Sequence, residues 1–286
     1  MQTLTIRMFA RFTGLFLTVL LVLSLSTESW AEIQEASGAK VQIVIGGTGS
    51  SLGAARLLGE AFMEANPGVA VKVLPSLGSS GGIKALLQKK VDLALSVRPL
   101  KKRELVQGLT SIAYAMTPFV FATTAASSGS GVTKRQLADI YSGDSLTWPD
   151  GSPIHLIVRP PKESDTLLIR SMSSEMDKAM DKALKRNGMM FAVTDQETAD
   201  LLESIKGSLA SLSLGQIIAE QRNVKVLALE GIPPLIDAKV NPAYSYYKTY
   251  YLIFRPDMSS TAREFVEYIL SAQGREILES SGHFLP

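Results

Sequence analysis

An α/β fold with a mostly parallel sheet is what this sequence predicts, and three observations predict it. Short β-rich runs alternate with segments of helical spacing. The runs end at Gly-, Pro- or Ser/Thr-rich turns, where a strand must stop and a helix can be capped. The helical segments are long enough to return the chain to the next strand running the same way, which covers both faces of the sheet.

The elements follow in order. Residues 41–45 form an apolar-rich strand, and Leu52, Ala55, Leu58, Phe62 and Ala65 recur at helical spacing until Asn66-Pro67-Gly68 stops them. Val69, Val71 and Val73 alternate as a second strand, and residues 77–82 form a Gly/Ser loop before a helix that carries Ile83, Leu86 and Leu87. Residues 91–95 make the next strand, closed by Arg98-Pro99, because proline opposes continuation. Residues 112–124 read as a longer extended stretch interrupted at Thr117-Pro118, a crossing between lobes, followed by the loose segment 127–131. Thr133 then caps a helix through Ile140, Trp148-Pro149-Asp150-Gly151 turns the chain, and 154–158 is a strand. A helical pattern opens at Ser164-Asp165 and continues over 175–186; a strand at 189–193 leads to a helix over 195–205. Residues 250–254 are the last strand, and 261–278 the last helix, with Phe265, Ile269, Ile277 and Leu278 inward.

The 286 residues, 46% of them hydrophobic, can bury a substantial core and exclude disorder as the main state. A formal charge of +2 is too even for a protein that holds nucleic acid by bulk charge. Zero cysteines remove disulfides, thiolate metal sites and cysteine nucleophiles together, and two histidines, His155 and His283, cannot build a multi-histidine metal centre. No cofactor is expected. Arg7 and Arg11 precede an apolar run over 13–25, too short to span a bilayer and of signal-peptide length. Ser29-Trp30-Ala31 offers small residues where a signal peptidase reads, so residues 1–31 are expected to be removed after export; the alternative is an uncleaved N-terminal anchor.

Chemistry concentrates in one arrangement that occurs three times: strand, small hydroxyl-rich loop, helix start. The instances are Gly46-Gly47-Thr48-Gly49-Ser50-Ser51, Gly78-Ser79-Ser80-Gly81-Gly82 and Arg159-Pro160-Pro161-Lys162-Glu163-Ser164-Asp165-Thr166. Each exposes free N–H groups at the positive end of a helix dipole and adds hydroxyl donors, a combination suited to an anion. Any one of them alone could be an ordinary N-cap. Arg98 and Arg159 each follow a strand directly, where a parallel sheet delivers side chains to its ligand-binding edge. The competing reading of either arginine is a surface ion pair. Gly49-Ser50-Ser51-Leu52-Gly53 matches the nucleophile elbow of serine hydrolases, but Ser51 follows the first strand, before any oxyanion loop, and His283 reads as part of a tail. Ala85 after Lys84 excludes a nucleotide P-loop, and the methionines at 172, 176 and 180 read as helix packing rather than a copper surface.

Leu77-Gly78-Ser79-Ser80-Gly81-Gly82-Ile83-Lys84, followed by Val91-Asp92-Leu93-Ala94-Leu95-Ser96-Val97-Arg98-Pro99-Leu100, resembles the phosphate-binding family among periplasmic substrate-binding proteins of ABC transporters. The resemblance implies a two-lobed type II periplasmic binding protein fold with a central cleft. One lobe is expected over 38–118 plus 247–286 and the other over 119–246, with crossing strands near Pro118 and Lys248 as the hinge. It implies a non-catalytic periplasmic monomer that captures a small oxyanion, foremost phosphate, and delivers it to a membrane permease; the alternatives are a sensor or scaffold that kept the fold, and a hydrolase using Ser51. Ligand positions would fall on Ser50, Ser51 and Leu52, on Ser79, Ser80 and Gly81, and on Arg159, Ser164, Asp165 and Thr166, with Arg98 adding charge. Two departures stand out. Val97 occupies the place of the family's phosphate-specific carboxylate, and Asp165 that of a glycine, so Asp165 or Glu163 is the expected replacement acceptor for the proton of hydrogen phosphate.

Overall fold

A computed structural model describes residues 41–127 and 129–286. The expected signal segment and Ser128 lie outside the described residues. The first half contains β1 (Val41–Gly47), α1 (Leu52–Ala65), β2 (Val69–Val73), α2 (Gly78–Leu87), β3 (Leu93–Ser96), α3 (Lys102–Leu105) and β4 (Thr110–Thr124). Next come α4 (Lys134–Ser142), β5 (His155–Val158), α5 (Ser164–Ser171), α6 (Ser174–Lys185), β6 (Met190–Phe191), α7 (Asp195–Ser204), β7 (Ser208–Ser213), α8 (Leu214–Ala219) and β8 (Val224–Val226). The chain ends with β9 (Tyr247–Phe254), α9 (Ser260–Leu270) and α10 (Ala272–Ser280).

The main sheet runs β2-β1-β3-β9-β4-β7-β5-β6, with β8 paired to the end of β4. Strands are parallel within each flank, β1 with β3 and β7 with β5 with β6, as the βα alternation predicts. The middle is antiparallel: β9 runs against both β3 and β4, and β4 against β7. The expectation of a mostly parallel sheet therefore fails at the centre. There the long strand β4 leaves one half and β9 returns to it, each passing beside its neighbour in the opposite sense.

Two hydrophobic cores flank this crossing. One gathers Ile43, Leu58, Tyr114, Tyr250 and Phe265, with an adjoining cluster around Ile83 and Leu86. The other gathers Phe119, Phe121, Leu137, Met176, Leu209 and Leu212. The fold is thus α/β and two-lobed, and β4 contributes to both cores through residues four positions apart, Ala115 and Phe119.

Several elements differ from the sequence expectation for physical reasons. The Gly/Ser stretch at 78–82 is the first turn of α2 rather than a loop. The helical pattern from Ser164 breaks where Ser173 caps α6 by accepting from the Met176 N–H, and 261–278 divides where Ser271 accepts from the Gly274 N–H. β7 has no counterpart in the sequence reading, because Ser208-Leu209-Ala210-Ser211-Leu212-Ser213 resembles a polar loop. It is nonetheless wholly buried between β4 and β5. Serine hydroxyls tolerate that burial when they find acceptors, as Ser208 does at the Leu202 carbonyl, 3.0 Å away.

Close backbone approach sets the start of α2. Gly47 has φ +150°, and a Cβ there would stand 2.1 Å from the Leu95 carbonyl oxygen; a Cβ on Gly82 would stand 2.6 Å from the Gly47 Cα. Gly82→Ala therefore forces backbone apart. The net loss expected is about 1–2 kcal/mol, overpacking outweighing the helix propensity gained. A thermal midpoint measured for the variant checks it, and an unchanged midpoint would contradict the close contact.

Candidate functional site

Three helix N-termini meet at one cavity of about 420 Å³: those of α2, α5 and α7. The partial positive end of each helix dipole lies at this space. Of the residues expected to bind ligand, Ser79, Ser80, Gly81, Arg98, Arg159 and Ser164 line this cavity.

On the β3 side, the turn after Ser96 is tied by its own hydroxyl, which donates to the Arg98 carbonyl (2.7 Å) and accepts from the Arg98 N–H (3.2 Å). The Val97 N–H donates to Ser79 Oγ at 3.1 Å, so the start of α2 is pinned to the end of β3. Arg98 makes a two-pronged pair with Glu104, both contacts 2.8 Å, and a further bond to Ser80 Oγ at 3.1 Å. The Arg98 hydrogen bonds hold the Glu104 carboxyl below its ordinary range against the opposing effect of burial. Arg98 therefore reaches the cavity with its charge already matched, as in the ion-pair reading.

On the β5 side, Arg159 is buried. One of its terminal nitrogens donates to Thr198 Oγ1 at 3.2 Å, and another stands 3.8 Å from both Asp195 and Glu163. Its Nε has no hydrogen-bond partner among the described residues. Such a donor is costly when buried unless a ligand or water completes it. Burial raises the Glu163 carboxyl above its usual range, with Arg159 opposing, and raises Asp195 in the same way, with Arg159 and Lys248 opposing.

Five expected residues lie elsewhere. Ser50, Ser51 and Leu52 are buried, because the start of α7 covers the turn that precedes α1: Gln196 Nε2 donates to the Gly49 carbonyl at 2.9 Å. The Ser51 hydroxyl donates to the Thr48 carbonyl (3.3 Å) and has no exposure, which leaves no accessible nucleophile for the hydrolase reading. His283 belongs to the C-terminal tail, as the sequence suggests, yet it is buried against Gly215 rather than solvated. Thr166 donates to the Arg159 carbonyl at 3.0 Å and so shapes the turn from behind. Asp165 faces away from the cavity into an ion pair with Lys248 of β9, 2.5 Å long.

Thr48 of the first hydroxyl-rich loop also lines the cavity, and other wall residues escaped the sequence reading: Lys101, Val193, Thr194 and Asp195. A signal for the last two was present. Thr194-Asp195-Gln196-Glu197 is a Thr-x-x-Glu capping box after a parallel strand, the same arrangement as the other three loops. Thr194 Oγ1 accepts from the Glu197 N–H (3.1 Å) and Glu197 accepts from the Val193 N–H (2.7 Å). Chemically the cavity offers amide, hydroxyl and guanidinium donors, together with two carboxyls that can accept a proton from a ligand.

A protein-family model described as the PBP superfamily domain matches residues 34–273. The chain is 23% identical over 214 residues to the phosphate-binding protein PstS of Borreliella burgdorferi, covering 72% of this chain and 76% of that protein. Among solved structures it is similar to one from Clostridium perfringens determined with bound phosphate, with TM-score 0.70 and 18% identity, covering 86% of this chain and 99% of that one. It is also similar to an ABC-type phosphate transport receptor from Vibrio cholerae, with TM-score 0.58 and 19% identity, covering 86% and 100%. At these identities the structural likeness speaks for the fold.

Proposed function

Because the chain belongs to the PBP superfamily, we propose that it is an exported, non-catalytic receptor that captures a phosphate-type oxyanion in its cleft and hands it to a membrane permease. The observation that supports this most directly is the convergence of three helix N-termini and the buried Arg159, with its unpartnered Nε, on one cavity. Fixed dipoles and N–H donors bind an anion without the reorganisation that water would require, which is the usual logic of helix N-terminal anion sites. The phosphate named for the Borreliella relative and present in the Clostridium structure supports phosphate among the oxyanions. Glu163 or Asp195, rather than Asp165, is the acceptor proposed for its proton.

We further propose that residues 38–118 with 247–286 form one lobe and 119–246 the other, closing about the crossing strands at Pro118 and Lys248. The two separate cores and the pairing of Lys248 with Thr117 and Tyr247 with Pro118 support that division. The cavity draws its wall from both parts, α2 from one and α5 and α7 from the other, so a bound ligand favours the closed arrangement.

Titration calorimetry with phosphate, sulfate, molybdate and tungstate tests the reading: at least one should bind. Arg159→Met should weaken that binding about ten- to hundredfold, the worth of one charge-assisted contact. Silence from all four anions would discard capture of a bare oxyanion, and full affinity in Arg159→Met would remove Arg159 from the site.

A further inference from the structure

The cavity is larger and more apolar than a bare oxyanion needs. At roughly 30 Å³ per water, a tetrahedral oxyanion displaces only about two or three waters. A volume of about 420 Å³ belongs with the pockets of roughly 300–1,000 Å³ that enclose organic ligands.

The wall composition points the same way. Leu77, Leu167 and Val193 line the cavity and are 40%, 54% and 64% exposed. Scattered singly, exposed aliphatics carry no message; three from separate elements on one concavity do. Each stands beside a polar group at one of the three helix starts. Leu77 directly precedes Gly78 of α2, Val193 directly precedes the Thr194 cap of α7, and Leu167 lies three residues beyond Ser164 on α5, hence on the same helix face. Val97, in the cavity wall at the end of β3, adds a fourth aliphatic side chain. Inorganic oxyanions gain nothing from such surfaces, whereas a hydrocarbon arm attached to the anion would bury them.

We infer that the ligand is an organic phosphoryl compound, a phosphoryl head on a short hydrocarbon arm joined through oxygen or carbon, with the head at the helix N-termini and the arm against Leu77, Leu167 and Val193. The inference rests on the oxyanion-receptor reading and narrows it.

Calorimetric titration of the protein, freed of phosphate by dialysis, with inorganic phosphate, propyl phosphate and propylphosphonate tests it. The better of the two propyl compounds should bind about tenfold more tightly than inorganic phosphate, the gain from burying two methylenes; the pair also tells an ester linkage from a phosphonate. Leu167→Ser and Val193→Ser should each pull the ratio of propyl to inorganic affinity toward one. Inorganic phosphate binding as tightly as either propyl compound, or more so, overturns the inference and leaves the receptor reading standing. Failure of all three, with sulfate, molybdate and tungstate also silent, overturns both.

Discussion

Lys248→Met is expected to lower the unfolding free energy by about 3–5 kcal/mol, the cost of stranding one partner of a buried ion pair. Both members are almost fully enclosed, at 4% exposure each, with Lys248 Nζ 2.5 Å from Asp165 Oδ1. The ammonium also lies 5.3 Å from the centre of the Phe119 ring, whose face favours a cation. Asp165 sits in the first turn of α5, where the helix dipole favours a negative charge. Remove the ammonium and the carboxylate is left in a poorly solvated place without its cationic partner. Urea unfolding at pH 7.5 would measure the loss. Asp165→Asn should destabilise for the mirror reason, and the double variant Asp165→Asn/Lys248→Met should recover much of either single loss, because no charge is then stranded. A single-variant loss below about 1 kcal/mol would mean that water reaches the pair. The same geometry changes what Asp165→Asn is expected to report: an effect on stability, in place of the loss of a proton acceptor that the sequence suggested.

His283 should make the fold sensitive to mild acid. Its ring is buried against Gly215, 5.5 Å from the centre of the Tyr250 ring, with Nδ1 3.2 Å from Ser281 Oγ and Nε2 unpartnered among the described residues. Burial pushes its pKa down to about 4 from an ordinary value of 6.5. In the unfolded chain the imidazole takes a proton below pH 6.5, while the native ring stays neutral until about pH 4. Stability from this group is therefore complete above pH 6.5 and is lost as the pH falls from there to about 4, by about 3 kcal/mol in all. In His283→Gln that part of the pH dependence should vanish, leaving only the slope due to carboxylates. Urea midpoints at pH 7.5, 6, 5 and 4 for both proteins would check it, and parallel curves would show that His283 does not supply the slope.

Much of the fold was readable because alternation of β-rich and helical segments is a strong local signal. Val69, Val71 and Val73 announce a strand, and Leu52, Leu58 and Phe62 announce the helix before it. β7 was illegible because Ser208, Ser211 and Ser213 interrupt the hydrophobic pattern expected of a buried strand, and the burial comes from β4 and β5, which are remote in sequence. The antiparallel centre of the sheet was hidden for a similar reason, since strand direction depends on where the chain comes back, 131 residues later in the pairing of Lys248 with Thr117, a separation that hydropathy does not encode. In the site, the Gly/Ser segment and Arg159 were visible from residue type and position alone. Arg98 was visible as a cation, but its partner Glu104 fixes what the charge does. Asp165 was assigned to the cavity by its neighbours Ser164 and Thr166, whereas one helical step of about 100° turns each successive side chain to a new direction. Asp195 could have been found by extending the strand, cap and helix pattern to a fourth instance.

Pro118 gives β4 an unusual mechanical property. Between Ala115 and Phe119 the strand passes from one core to the other, and proline supplies no N–H to the ladder on that stretch. Cross-strand contact resumes at once, with the Phe119 N–H donating to the Tyr246 carbonyl at 2.9 Å. On the proposed division into two lobes, that short stretch of β4 is where one lobe would turn against the other, with the main-chain hydrogen bond beside Pro118 kept intact.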